Sequence, residues 1–326
     1  NNATVVDSTN LRLGTSAVSG NLDVSVENVG VDDDLAQFGA LEVVGTTALN
    51  AGGGRINLTN SDNDFQGAVS VRNARDFFAA RLADKNDLLL GEVPLPTNFS
   101  TRLTLNVGGT LTQNDFLQVQ ILRVNSTGTV TLDNAENSLG ELDVPAAAGL
   151  TLNDSDGGLL LAGDIVSTGS TTITTAGGSL NLGVNNLDAA GQSLSLTGNG
   201  IVQDATTPGQ VRAAATTLEG GTGNIRLSGS TNDFTGAVSA NTASNGNIEI
   251  TDANALELGP SSVAEGTFTM NAVGITQSGA LSQSGTGALG LNGGAGDIVL
   301  TDAANDLKGA LSASTTASGV GDGHDI

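Results

Sequence analysis

Short stretches in which apolar and polar residues alternate recur along the whole chain. In Leu11-Arg12-Leu13 and in Ile225-Arg226-Leu227, every second residue is aliphatic. Such alternation predicts short β-strands that bury one face and expose the other. Glycine, serine, asparagine and aspartate separate the stretches, and these residues favour tight turns. The pattern therefore predicts an all-β protein.

The alternating stretches belong to a unit that occurs four times. Each copy has an apolar strand, then an asparagine, and two residues later a phenylalanine or leucine. These positions are Asn63 with Phe65, Asn137 with Leu139, Asn232 with Phe234, and Asn305 with Leu307. Successive asparagines are 74, 95 and 73 residues apart, so the middle interval is longer by about one coil of a solenoid. We predict repeat units at approximately residues 1–71, 72–145, 146–240 and 241–326, with the extra coil within residues 164–200.

Two further positions recur in the same order. A glutamine follows a short apolar strand in every unit, at Gln37, Gln113, Gln203 and Gln277. An aspartate precedes a leucine-rich strand, at Asp7, Asp84, Asp252 and either Asp154 or Asp156. Equivalent asparagines are about three coils apart, too far for a direct amide ladder, so we expect them to cap individual turns. The phenylalanines and leucines that follow are expected to fill corners.

Internal repeats of this length are typical of solenoids. About three coils per unit give about 13 coils and a rod on the order of 60 Å long. Parallel crossovers are right-handed in nearly all proteins. We therefore predict one right-handed parallel β-helix, a β-solenoid segment, over residues 1–326. The first and last residues fall inside a unit, so we expect the array to continue in both directions.

Two segments depart from the simple pattern. Residues 75–84 resemble a helix locally, but their position in the repeat matches an alternating strand, so a strand is predicted. Residues 92–101 contain Pro94 and Pro96 and exceed the matching loop by about four residues, so we expect an outward bulge.

Composition restricts the core and the partners. Aromatic residues make up 2% and Trp, Tyr and Cys are absent, whereas 38% of the chain is hydrophobic, so the core must be built from many small aliphatic groups. The net charge of −23 argues against nucleic acid and anionic lipid as partners. No apolar run approaches the length of a membrane span, so we expect no membrane insertion of this segment.

Carboxylates are the side chains to consider for catalysis or for binding a metal ion. Polysaccharide-cleaving solenoids use paired acids beside aromatic platforms, and with no Trp or Tyr we predict no catalytic residue and no enzyme. Calcium is the remaining cofactor to consider. Its candidate ligands are Asp297, in Gly293-Gly294-Ala295-Gly296-Asp297, and Asp32 and Asp34. The glycine motif is one residue short of a calcium-binding nonapeptide and lacks tandem copies, so ordinary turns are favoured.

The phrase Asn-Asp-Phe-x-Gly-Ala-Val-Ser, at Asn63 and Asn232, and Gly-Ile-Thr-Gln-Ser-Gly, at Gly274, resemble the repeat shafts of filamentous haemagglutinin-like exoproteins of Gram-negative bacteria. The resemblance covers nearly the whole chain. It implies a right-handed β-helical fibre that a partner pore exports through the outer membrane, or that is exported as an autotransporter. It also implies a role in adhesion, aggregation or display of a terminal effector.

The leading functional hypothesis is therefore a structural and adhesive segment of a bacterial surface fibre, located outside the cell. Its expected partners are adjoining repeats or further copies along the axis, together with the export pore that the resemblance implies. The alternative is a module that binds a glycan or a host protein on a flat face. A polysaccharide lyase or hydrolase is a third and less favoured hypothesis.

Overall fold

The computed structural model describes residues 1–27, 34–72, 79–95, 101–189 and 191–316. Within these ranges the regular structure is β-strand, in 38 strands, and every strand pairing is parallel. The strands wind into a β-solenoid of about 14 turns. This confirms the predicted parallel solenoid and its coil number of about 13.

Sixteen strands form one parallel sheet along a first side of the solenoid. Its strands are β1 (Ala3–Asp7), β4 (Leu22–Val26), β7 (Thr47–Asn50), β10 (Val69–Arg72), β12 (Leu88–Leu90), β15 (Leu111–Gln113), β17 (Thr129–Leu132), β19 (Gly149–Asp154), β21 (Thr171–Thr175), β24 (Leu194–Thr197), β27 (Thr216–Glu219), β30 (Val238–Thr242), β32 (Leu256–Leu258), β33 (Ser261–Val263), β35 (Ile275–Gln277) and β36 (Leu281–Gln283).

Nineteen strands are connected by pairing along a second side of the solenoid, and three more form a short third sheet. The nineteen are β2 (Leu11–Leu13), β5 (Leu35–Gln37), β8 (Ile56–Leu58), β11 (Ala79–Asp84), β13 (Val93–Pro94), β14 (Arg102–Val107), β16 (Leu117–Ser126), β18 (Ser138–Ala147), β20 (Leu159–Ser167), β22 (Leu180–Gly183), β23 (Leu187–Asp188), β25 (Ile201–Gln203), β26 (Val211–Ala213), β28 (Ile225–Leu227), β29 (Asp233–Phe234), β31 (Ile248–Thr251), β34 (Phe268–Asn271), β37 (Leu289–Asn292) and β38 (Leu311–Ser314). The short sheet contains β3 (Ser16–Val18), β6 (Leu41–Val43) and β9 (Asp64–Phe65).

Each strand lies beside its counterpart one coil along the chain. Leu11 is opposite Leu35, and Leu35 is opposite Ile56. This register places apolar residues of successive coils above one another and gives a continuous interior column of aliphatic side chains. In β8, Ile56 and Leu58 are buried while Asn57 is exposed, as the alternation predicts.

Glycines stack at one corner over five consecutive coils. They are Gly223, Gly246, Gly266, Gly287 and Gly309. A Cβ atom on Gly266 would lie 2.1 Å from the carbonyl oxygen of Gly246, and one on Gly287 would lie 1.9 Å from that of Gly266. Neighbouring coils therefore approach too closely at this corner for any side chain.

The structure confirms the strand predicted for one irregular segment and contradicts part of the bulge predicted for the other. Ala79–Asp84 forms strand β11, as the repeat position predicts, and residues 75–78 lie outside the described part. The predicted bulge over residues 92–101 is wrong for its first part, since Val93–Pro94 forms β13 and Leu95 is fully buried. These residues continue the ladder because β13 pairs with the start of β16. Residues 96–100, including Pro96, are not among the described residues.

Candidate functional site

The recurring glutamines and asparagines form four equivalent side-chain pairs. In each pair the glutamine Nε2 donates to the asparagine Oδ1, and the asparagine Nδ2 donates to the glutamine Oε1. The respective distances are 2.8 and 2.9 Å for Gln37–Asn63, 2.7 and 2.9 Å for Gln113–Asn137, 2.9 and 3.1 Å for Gln203–Asn232, and 3.0 and 3.0 Å for Gln277–Asn305. Each pair joins two coils.

The paired amides also bind backbone groups of the neighbouring strands. Asn63 Oδ1 accepts from the N–H of Leu41 at 3.0 Å, and its Nδ2 donates to the carbonyls of Leu58 at 3.2 Å and Ala83 at 3.1 Å. These contacts connect Asn63 to the preceding coil, its own coil and the following coil. Asn63, Asn137 and Asn232 are fully buried, so the hydrogen bonds satisfy groups that water cannot reach.

The predicted turn-capping role describes part of this arrangement. The bond from Asn63 Nδ2 to Leu58 caps the residue's own turn, but the pairing with Gln37 connects coils. Sequence reasoning found both residues of each pair and missed their contact. The near-constant separation of glutamine and asparagine, 24 to 29 residues, was the signal that could have indicated it.

The residue two positions after each asparagine packs into the interior. Phe65, Leu139 and Phe234 are buried, and Leu307 is partly buried against the same core. The structure therefore places all four positions in or against the hydrophobic core, and Phe65, Leu139 and Phe234 lie within short strands.

A buried aspartate follows three of the pairs by one coil. Asp84 Oδ2 accepts from the N–H of Phe65 at 2.8 Å, and Asp154 Oδ1 accepts from that of Leu139 at 2.9 Å. Asp252 Oδ1 accepts from Asn254 at 3.0 Å. Asp154, not Asp156, is the recurring aspartate of the third unit, because Asp154 is buried and Asp156 is exposed.

Burial changes the acidity of these carboxyls. Loss of hydration raises the pKa of Asp84 and of Asp252, and raises the pKa of Asp154 to about 6. Asp154 Oδ2 and Asp252 Oδ2 are buried and have no hydrogen-bond partner among the residues that the structure describes. Amides do not titrate in the physiological range, so the Gln–Asn pairs offer structural support and the aspartates are the titrating groups beside them.

The calcium candidates do not come together. Asp297 is exposed beside the Gly293–Gly296 turn, in which the N–H of Gly296 donates to the carbonyl of Gly293 at 2.9 Å. The carboxylate of Asp34 accepts from the N–H of Arg55 at 3.0 Å, and Asp32 lies outside the described residues. Across the described ranges, no group of three or more acidic or histidine side chains could hold a metal ion.

The described part of the chain contains no helix that could cross a membrane. Comparison with curated proteins and with solved structures gave no significant match. A family model described as repeats of unknown function (DUF5649) matches residues 1–72, 79–144, 180–241 and 245–314. These segments cover more than half of the chain, and the chain therefore belongs to this repeat family.

Proposed function

We propose that this chain is a stiff segment of a bacterial surface fibre and that its role is to carry load and extend other parts of the protein away from the cell. The observation that carries the proposal is the uninterrupted parallel pairing over about 14 turns, supported in every unit by a Gln–Asn pair. A protein that needed only a compact binding surface would not require this length.

The proposed load-bearing role rests on the direction of the hydrogen bonds between paired strands. Strand pairing in a solenoid runs along the long axis, so tension along the fibre is shared by the backbone hydrogen bonds of every coil. Burial of each aliphatic side chain adds roughly 1.5–3 kcal/mol of gross stabilisation per residue. The amide pairs add side-chain bonds across the coil boundary, where separation would begin.

The resemblance to haemagglutinin-like shafts supports an extracellular position and passage through an outer-membrane pore. Under this proposal, adjoining repeats are the direct structural partners of the chain. Adhesion would then be performed by other segments that the shaft carries, or by a face of the shaft itself.

The proposal can be tested in the full-length protein within the organism that encodes it. Inserting three further copies of residues 146–240, about four coils each, should lengthen the fibre by about 60 Å in electron micrographs. Immunogold label against this segment should decorate intact cells. An unchanged particle length, or label that appears only after lysis, would refute the fibre proposal.

A further inference from the structure

The basic residues are concentrated in one part of an acidic chain. Eight of the 11 lysines and arginines lie in residues 1–123, together with 14 of the 34 acidic residues. The rest of the chain has three basic and 20 acidic residues. In these early coils, several of the basic residues lie on the outward face of the second side of the solenoid.

Four arginines occupy successive strands of that face, one per coil. Arg55 immediately precedes β8, Arg81 lies in β11, Arg102 in β14 and Arg123 in β16, and these strands are consecutive neighbours. All four side chains are exposed. We call this set the arginine strip.

The register arranges the strip as a zigzag. Arg81 is opposite Thr104, and Thr104 is opposite Arg123, so these two arginines share a row two coils apart. Arg102 is opposite Ala79 in the neighbouring row, and the pairing of Ala80 with Ile56 places Arg55 in that same row. Guanidinium groups therefore alternate between two rows while advancing by one strand spacing, 4.7–4.9 Å, per coil.

Three of the four guanidinium groups in the arginine strip are not neutralised by a described acidic residue. Arg55, Arg81 and Arg102 form no ion pair with any residue in the described ranges, whereas Arg123 pairs with Asp143 at 2.5 Å. A surface groove of about 430 Å³ lies between Arg55 and Arg81, with Asn57 and Ala79 in its lining. Asp34, at the edge of this groove, uses its carboxylate to accept from the backbone N–H of Arg55.

We propose that the arginine strip binds a short stretch of a linear polysaccharide that carries one carboxylate per sugar and lies along the solenoid axis. Planar guanidinium groups bind carboxylates through paired, charge-assisted hydrogen bonds. One guanidinium per coil matches a polymer with one charge per sugar residue. Small side chains at Ala79 and Thr104 leave room for the sugar rings between the arginines.

Acidic residues bound the strip at both ends. Asp34 lies one coil before Arg55, and Glu141 and Asp143 lie on the strand after Arg123. The strip therefore accommodates about four sugar residues, one per coil, at the strand spacing of the solenoid. Since the net charge of −23 repels polyanions at long range, binding depends on close contacts within the Debye length, about 8 Å at 0.15 M salt.

Other occupants fit less well. A second copy would need a matching row of acids, but after Glu141 the equivalent outward row continues with Leu160, Asn181 and Val202. A single-stranded nucleic acid would need aromatic side chains on which to stack its bases, and the described residues that line the groove include none. The inference is independent of the fibre proposal, because the strip could bind polysaccharide whether or not the chain is part of a shaft.

Calorimetric titration with oligogalacturonates, from dimer to octamer, tests the inference. Affinity should rise up to about the tetramer and then level off, because only four coils carry the strip. The triple variant R55Q/R81Q/R102Q should lose at least about tenfold in affinity. The control variant R72Q/R212Q/K308Q removes the same charge from paired residues elsewhere and should bind as the natural chain does.

A second measurement on the unaltered chain removes dependence on the variants. Saturating octamer should slow amide hydrogen exchange in residues 79–84 and 101–107. The proposal is overturned by absent binding, by equal binding of the triple variant, or by exchange protection confined to other coils. Equal or tighter binding of oligothymidylate or of an uncharged oligogalactose would also overturn it, because the site would then not be selective for a carboxylate polysaccharide.

Discussion

Gln203 and Asn232, which are 29 residues apart, bind each other through both ends of their side-chain amides, at 2.9 and 3.1 Å, inside the solenoid. Both side chains are buried. Asn232 also accepts from the N–H of Val211 at 2.9 Å and donates to the carbonyl of Leu227 at 3.1 Å. One pair of neutral side chains thus satisfies backbone groups of two coils.

Removing this pair should destabilise the solenoid. Asn232→Ala leaves the N–H of Val211 and the carbonyl of Leu227 without this partner. The Gln203 amide keeps its hydrogen bonds with two other backbone groups. Each buried unsatisfied group costs about 1–3 kcal/mol, so we expect a loss of at least about 2 kcal/mol in the free energy of unfolding. Urea unfolding followed by circular dichroism measures it.

Asn245→Ala is the matched control, since Asn245 is exposed in a turn. Its effect should stay within about 0.5 kcal/mol. Equal unfolding midpoints for the two variants would show that the amide pair contributes nothing to stability.

Asp154→Asn should change how stability depends on pH. Burial raises the pKa of Asp154 to about 6, above its ordinary value of 3.8. The neutral carboxyl of Asp154 contributes fully to the stability of the folded chain at pH values below its pKa in the unfolded chain. This contribution is lost as the pH rises through its pKa in the folded chain, because the buried carboxyl must then ionise. We expect the variant to be more stable than the natural chain at pH 7, by about 2–3 kcal/mol at most, and to lose the corresponding slope between pH 4 and 6.

Asp156→Asn, two residues away and exposed, provides the control. The charge of Asp156 is the last of the causes that raise the pKa of Asp154, and burial is the first, so most of the slope should remain in this variant. The pKa of Asp204 is shifted in the opposite direction from that of Asp154, since backbone hydrogen bonds from Thr207 and Thr206 lower it to about 2. The contribution of Asp204 is lost only as pH falls from its ordinary pKa towards 2. If Asp154→Asn kept the full slope of the natural chain, the buried carboxyl would not be its source.

Gly266→Ala should disrupt the glycine corner. The new Cβ would lie 2.1 Å from the carbonyl oxygen of Gly246, and this oxygen belongs to the backbone, so the coils must separate. A cost of about 1–3 kcal/mol or more is expected from this overpacking. Gly290→Ala meets nothing closer than 3.9 Å and should be nearly neutral by thermal unfolding. Comparable losses in both variants would contradict the steric explanation.

Phe234 offers a substitution series taken from the repeat itself. Leu139 and Leu307 occupy the equivalent position in two units, so Phe234→Leu should cost less than about 1.5 kcal/mol. Phe234→Ala leaves a cavity in the interior and should cost about 3–5 kcal/mol. Denaturation midpoints that do not follow this order would show that the corner is not closely packed.

The sequence supported the fold prediction because the necessary information was local. The alternation in Ile225-Arg226-Leu227 specifies one inward and one outward face, and turn residues recur at the interval of a coil. Repetition then resolved an ambiguity, since Ala79–Asp84 has a helical local pattern but forms a strand in register with β8 and β14. Stacking on neighbouring coils outweighed the intrinsic propensity of that segment.

The same reasoning could not predict which residues meet across coils. Gln37 and Asn63 were recognised as separate landmarks, yet their contact depends on the length of the intervening coil. Likewise, Asp154 and Asp156 are indistinguishable by type and differ only in the direction that the chain gives each side chain. The outward bulge expected near Pro94 failed because Val93 pairs with Leu117, a contact that local composition does not reveal.

By itself, the sequence determined that the chain builds short parallel strands on an aliphatic interior, because the residue alternation and the repeat interval are properties of the chain alone. Only the tertiary structure decided that Gln203 meets Asn232, that Gly266 lies against Gly246 and that Arg81 and Arg102 share one face. The physical reason is that each of these contacts joins different coils, so its existence depends on how one coil lies in register upon the next.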